Sequence, residues 1–304
     1  EREYILAMRG TVTKLDWLSN LNVGMTRGPT GSVVHSGFAS IYNSMQADVM
    51  HMLKGLGAAK VHFVGHSLGG SLASLAALHY ASSGGTGGSY LYTFGAPRIG
   101  GPGFSSDMRR YLGQGHIKRV YALSDPVPMI PLFPFFHCPI GASGINANYS
   151  SITSAAHSMS DCYVPNMPAS GWPVQVAEPN KADPDYWLRQ AEGASGIGSK
   201  MGYYFLGKAL NAIMPTLHML CGSASSTMTM LDMLSEAISK GIAASKKIAD
   251  YMLRFVQAAL RFVRGVGRAG MSAADLTVSF LGYVLGMMMT QVKNAAQAAL
   301  MKIV

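Results

Sequence analysis

Val61-His62-Phe63-Val64-Gly65-His66-Ser67-Leu68-Gly69-Gly70 is the stretch on which the fold turns. An apolar run stops at Gly65, and Ser67 stands between glycines two residues before and two after it. A helix-forming run, Ser71-Leu72-Ala73-Ser74-Leu75-Ala76-Ala77-Leu78, follows. Strand, tight turn and helix in that order make Gly-x-Ser-x-Gly a nucleophile elbow. The turn lifts the serine hydroxyl into a cleft. The glycines are required because side chains there would collide with neighbouring elements. The N-terminus of the new helix aims amide N–H groups at any oxyanion forming beside the serine. Ser67 is therefore the candidate nucleophile, and the Leu68 N–H a candidate oxyanion donor.

Outward from the elbow, strands and helices alternate. Glu3–Arg9 reads as a buried strand and the segment from about Ala39 to Lys54 as a helix. Tyr90–Phe94 reads as a strand, 103–112 as a helix and Ile117–Leu123 as another strand. Alternation of this kind predicts α/β layering with a largely parallel sheet. In such sheets, functional groups gather at the carboxyl ends of strands. Ser67 and Asp125, in Ser124-Asp125-Pro126-Val127-Pro128, both stand at such ends.

Five pieces in order carry a family resemblance. They are Arg9-Gly10-Thr11 with Asp16-Trp17, Val34-His35-Ser36-Gly37-Phe38, Gly65-His66-Ser67-Leu68-Gly69-Gly70, Phe94-Gly95-Ala96-Pro97-Arg98 and Asp125-Pro126-Val127-Pro128. Over about residues 4–165 the chain resembles the class 3 lipases of the α/β-hydrolase fold. The resemblance implies a serine esterase acting on lipid, with Asp125 as the acid of the triad. Two histidines follow Asp125, His137 and His157. The resemblance favours His157, which Tyr163 follows as an aromatic marker, although that gap is longer than usual. It also implies that Thr11 joins Leu68 in the oxyanion hole, and that a lid over about Lys14–Val23 shields the cleft with Trp17 and Leu21. His35 and His66 are expected to serve packing. Phe133 and Phe135 lie in the apolar run Pro131–Phe136. As an exposed loop this run would be an acyl-chain wall or docking surface; as a buried one it would be simple packing. The chemistry requires no cofactor and no metal.

Charge is unevenly spread. Residues 1–194 hold 13 Lys/Arg against 11 Asp/Glu (+2), and residues 195–304 hold 11 against 4 (+7). Without a nucleic-acid motif, the basic half points to lipid or a protein partner. The expected organisation is a hydrolase core over 1–165, a loop-rich connector over 166–198 and a helical, basic, Met-rich region over 199–304. From Leu231 to Val263 the apolar spacing predicts one or two basic amphipathic helices, which either lie on an anionic membrane or cover a neighbour. Leu276–Val292 has 17 residues, no charge and the pattern Gly282-x-x-x-Gly286. It is at the short limit for a spanning helix, where about 20 residues are usual, and fits a buried hairpin helix equally well. Of three cysteines, Cys138 and Cys162 could pair or stay reduced. The expected substrate is phospholipid acyl ester, as for a phospholipase A, or else triacylglycerol. The alternative of another class is a membrane-inserting protein on a hydrolase scaffold. A lipase module joined to a basic helical tail also resembles bacterial type VI secretion lipase effectors. That resemblance implies secretion or delivery to a membrane-facing compartment, and an immunity protein as partner.

Overall fold

The computed structural model describes residues 2–10, 24–85, 87–131, 135–138, 144–147, 149, 154–173, 183–194, 200–220, 230–264 and 270–301. The chain divides into two compact units, one of residues 1–177 with 297–304 and one of residues 178–296.

In the first unit a five-stranded sheet runs in the order β1 (Glu3–Met8), β4 (Lys60–His66), β5 (Ser89–Phe94), β6 (Ile117–Tyr121), β7 (Ile145–Asn146), and every neighbouring pair is parallel. A short antiparallel pair, β2 (Met25–Arg27) and β3 (Val33–His35), stands apart. The strand period of two sets the faces. Val61, Phe63 and Gly65 of β4, with Ser89, Leu91 and Thr93 of β5, are buried, while the residues between them are half-buried.

The segment expected as one helix from Ala39 to Lys54 is two, α1 (Ser36–Asn43) and α2 (Gln46–Lys54). The Ser44 hydroxyl donates to the Ile41 carbonyl at 2.7 Å, and this competes with helix continuation. The helix after the elbow, α3 (Leu68–Ser82), is buried from Leu68 through Leu78. It has no polar stripe because it is a core helix covered on all sides. Helix α4 (Pro102–Leu112) buries Phe104, Met108 and Leu112.

Glycines permit this packing. A Cβ on Gly65 would stand 2.1 Å from the Gly69 carbonyl oxygen, and one on Gly69 would stand 2.1 Å from that of Met8. Neither contact could be relieved without moving backbone.

The second unit is helical. It contains α5 (Pro184–Gly193), α6 (Lys200–Leu220), α7 (Met230–Ala244), α8 (Lys246–Arg264) and most of α9 (Val278–Met301). Helix α5 falls inside the stretch expected to be loop-rich. The Asp183 side chain caps it by accepting from the Asp185 N–H at 3.0 Å, and Pro184 takes the first turn, where no N–H is needed. The expected amphipathic segment is the pair α7 and α8. Its apolar stripe, including Leu234, Ile238, Met252, Val256 and Leu260, is buried within the protein. A Cβ on Gly282 would meet the Ser235 hydroxyl at 3.4 Å, so the Gly-x-x-x-Gly edge of α9 lies against α7 as a packed helix pair. Among the described residues no helix is long and apolar enough to cross a membrane.

Candidate active site

Ser67 follows β4 directly and caps α3. Its backbone, at φ 57° and ψ −132°, is the only non-glycine one with positive φ among the described residues. That conformation is sterically costly. It is held by the Ser67 N–H donating to the Phe94 carbonyl (2.9 Å) and by the Ser67 carbonyl accepting from the Gly70 N–H (2.9 Å). The Ser67 side chain is buried, and its hydroxyl makes no hydrogen bond among the described residues.

Asp125 follows the end of β6. Its Oδ1 accepts from the Val127 N–H at 2.9 Å. Its Oδ2 accepts twice, from His157 Nδ1–H at 2.7 Å and from the Tyr163 hydroxyl at 2.5 Å. All three side chains are buried. With Nδ1 donating to the carboxylate, His157 Nε2 carries the free lone pair, and it too has no hydrogen-bond partner among the described residues. Burial and the neighbouring Asp125 charge push the Tyr163 phenol far above its ordinary range, so it stays protonated and donates.

Tyr163 enters the sequence reading only as a marker for His157; in the structure it contacts Asp125 itself. A one-turn π-helix over Met159–Tyr163 brings it there. This turn accommodates the five residues between the two side chains. Gly95 makes the space. It has φ +57°, and a Cβ on it would stand 2.8 Å from both Asp125 Oδ2 and the Tyr163 hydroxyl. The glycine of Phe94-Gly95-Ala96-Pro97 was the available signal.

His66 reaches across to His157. Its Nε2–H donates to the His157 carbonyl at 2.8 Å, and the two rings lie 4.6 Å apart. Burial and the adjacent His157 lower its pKa to about 4, so it is neutral in the working range. His137 instead lines a small cavity with Ser74, Thr93, Arg119 and Cys138, and it is not among the side chains bonded to Asp125.

Leu68 is the first residue of α3, so its N–H belongs to the first turn, whose donors have no partner within the helix. Gly10 passes close to the elbow, since a Cβ on it would lie 3.6 Å from Ser67 Cβ. Thr11 is the next residue, but it lies outside the described residues, as do Trp17, Leu21 and Phe133. Phe135 is buried and set edge-on to His35 at 5.3 Å, the packing alternative for this side chain.

The possible Cys138–Cys162 disulfide does not form; both are free thiols. Cys162 is sealed in a cluster with Val120, Ala122, Ile145, Ala147 and Tyr163. Burial, with Asp125 and Asp161 nearby, pushes its thiol up to about 12. Cys138 sits apart, beside Ser105 and Arg119, its thiol also pushed up to about 12 by burial.

A parallel sheet with a strained serine between strand and buried helix, and an aspartate at the end of a later strand, is the arrangement of an α/β-hydrolase fold. Residues 5–135 match the family model of the class 3 lipases. The chain is 30% identical over 140 residues to a secreted mono- and diacylglycerol lipase of Fusarium solani, covering 44% of this chain and 41% of that protein. It is 33% identical over 150 residues to a lipase of Rhizomucor miehei, covering 45% and 40%. A chloroplastic phospholipase A(1) of Arabidopsis thaliana is 29% identical over 154 residues, covering 43% and 34%. Among solved structures, the mono- and diacylglycerol lipase of Aspergillus oryzae is similar at a TM-score of 0.40 and 22% identity, covering 52% of this chain and 58% of that one. The chain thus spans about two fifths of the curated relatives it matches. The matched segment, residues 5–135, is similar to the class 3 lipases.

Proposed function

We propose that the protein is a serine carboxylic-ester hydrolase acting on lipids, with Ser67 as nucleophile, His157 as base and Asp125 as its orienting acid. The observation that carries this reading is the His157–Asp125 hydrogen bond at 2.7 Å, which turns Nδ1 to the carboxylate and leaves Nε2 without a hydrogen-bond partner among the described residues. A serine hydroxyl needs such a base to become a nucleophile. His157 takes the Ser67 proton as the hydroxyl attacks the ester carbonyl. The imidazolium is stabilised by Asp125 and returns the proton to the leaving alcohol. Water then hydrolyses the acyl-enzyme by the same route. The Leu68 N–H, with Thr11, holds the oxyanion.

For the substrate we propose phospholipid acyl esters ahead of mono-, di- or triacylglycerols. The +7 balance of residues 195–304 suits an anionic surface better than a neutral droplet. Relatives named as phospholipase A(1) and as mono- and diacylglycerol lipases accompany both readings. Delivery as a secreted antibacterial effector, and an immunity protein that blocks the cleft, belong to the same proposal.

The test is fatty-acid release from phosphatidylglycerol vesicles and from triacylglycerol emulsion by wild type, Ser67→Ala, His157→Ala and His137→Ala. Ser67→Ala and His157→Ala should each lose roughly a thousandfold or more. Hydrolysis retained by Ser67→Ala defeats the nucleophile assignment, and loss in His137→Ala alone reassigns the base. Faster turnover of the emulsion than of the vesicles replaces the phospholipid reading with the acylglycerol one.

A further inference from the structure

We infer that His66, the residue before the nucleophile, is a positioning residue for the base, holding the His157 main chain against the elbow and keeping an uncharged face beside its ring. The inference rests on the proposed roles of Ser67 and His157.

His62, Val64 and His66 share one face of β4, opposite the face covered by α3. At the carboxyl end of that face the segment 154–163 meets His66. His157, the last residue of a short 3-10 turn, comes to lie at 4.6 Å, ring to ring, from His66. The His66 Nε2–H donates to the carbonyl of His157 at 2.8 Å. The residue that makes this bond is covalently joined to Ser67. Nucleophile and base, which lie 90 positions apart in the chain, are therefore tied by one hydrogen bond that involves neither reacting atom. The base's ring then has two fixed points, its main chain at His66 and its Nδ1 at Asp125.

The second part follows from charge. During acyl transfer His157 becomes an imidazolium. A second cation at 4.6 Å in a buried site would oppose it strongly. The titratable groups facing His66 are His157, Asp125 and the Tyr163 phenol, whose ring is edge-on at 5.9 Å; His62 is on its own strand. Among these, Asp125 is already bonded to His157 and Tyr163, and burial, with His157 beside it, keeps His66 neutral.

The experiment measures kcat and KM against pH for soluble ester hydrolysis by wild type, His66→Gln, His66→Leu and His66→Lys. Circular dichroism reports folding for each. Gln supplies a neutral N–H donor, Leu removes it, and Lys places a cation beside the base. His66→Leu should lose about ten- to a hundredfold in kcat with KM little changed, the scale of a misplaced catalytic group. His66→Gln should restore most of the rate. His66→Lys should lower the acid-limb pKa of kcat/KM by about one unit, the effect expected of a nearby like charge. Should His66→Leu fail to fold, the Gln–Lys pair still decides. Equal rates and superimposable pH profiles in those two variants overturn the inference, as does an unchanged kcat in a folded His66→Leu. Loss of the underlying triad reading is separately visible, because Ser67→Ala would then remain active.

Discussion

Tyr163 donates its hydroxyl proton to the same oxygen of Asp125, Oδ2, that receives the His157 Nδ1–H. One carboxylate oxygen thus serves both the base and a buried phenol, and the Val127 N–H takes the other oxygen. No donor is spare, so each loss should be felt in both stability and rate. Tyr163→Phe keeps the ring but leaves Asp125 one donor short. It should destabilise the fold by about 1–3 kcal/mol, as for a hydrogen bond lost from a buried charged acceptor. It should also lower kcat roughly tenfold, the rate equivalent of about 1.4 kcal/mol. Urea titration and steady-state kinetics on the one variant check both numbers, and wild-type values in both would remove Tyr163 from the site.

Gly95 and Gly57 both have positive φ, +57° and +63°, but only Gly95 is crowded. At Gly57 a Cβ would meet nothing within 4 Å. Gly57→Ala should therefore lose only the backbone contribution, about 1–2 kcal/mol. Gly95→Ala adds a clash with Asp125 Oδ2 and the Tyr163 hydroxyl. It should destabilise by at least about 1 kcal/mol more and abolish most hydrolysis. Thermal denaturation of the two variants side by side isolates the steric part by difference.

Acid should unfold the protein partly through His66. Unfolded, the ring titrates at 6.5; folded, at about 4. Above pH 6.5 it is neutral in both states and contributes no pH dependence. Between 6.5 and 4 the unfolded chain binds a proton that the native site refuses, so stability falls as pH falls. The full loss is on the order of 3 kcal/mol. His66→Gln lacks this group, so its stability should decline less steeply than wild type across that window in parallel denaturant melts. Identical slopes would contradict the depressed pKa.

In the helical unit, Arg254 of α8 makes two hydrogen bonds to Glu192 of α5, at 2.7 and 2.9 Å, and a third to Asp185. Its charge holds the Asp185 carboxyl below its ordinary range. These groups are about a quarter exposed, so solvent screens part of their attraction. Arg254→Met should cost about 1–2 kcal/mol. The cost should shrink in 1 M salt, where screening is strong. A Glu192→Gln cycle measured by thermal melts would give the coupling, and no measurable coupling at low salt would show the cluster to be energetically idle.

Much of the first unit was legible because local rules and the tertiary answer agree there. The elbow is encoded within ten residues. Gly65 is required by the elbow's own Gly69, while Gly69 and Gly70 make room for Met8 and Ala96, which the fold brings against the turn. The placement of Asp125 at a strand end follows from the alternation of elements. The break at Ser44 and the helix at Pro184–Gly193 were less visible. A single side-chain hydrogen bond decides the first, and an Asp-Pro start that also reads as a turn conceals the second.

What sequence alone determined, then, is the parallel α/β layering, the elbow around Ser67 and the place of Asp125 after a later strand. Tertiary structure brought to Asp125 the Nδ1 of His157, the histidine that the aromatic marker Tyr163 favours over His137. It also set Tyr163 against Asp125 and His66 against His157, and turned the apolar stripe of the basic helices inward. An amphipathic stripe specifies that it must be buried, without specifying against what. A histidine specifies a proton carrier, without specifying whose.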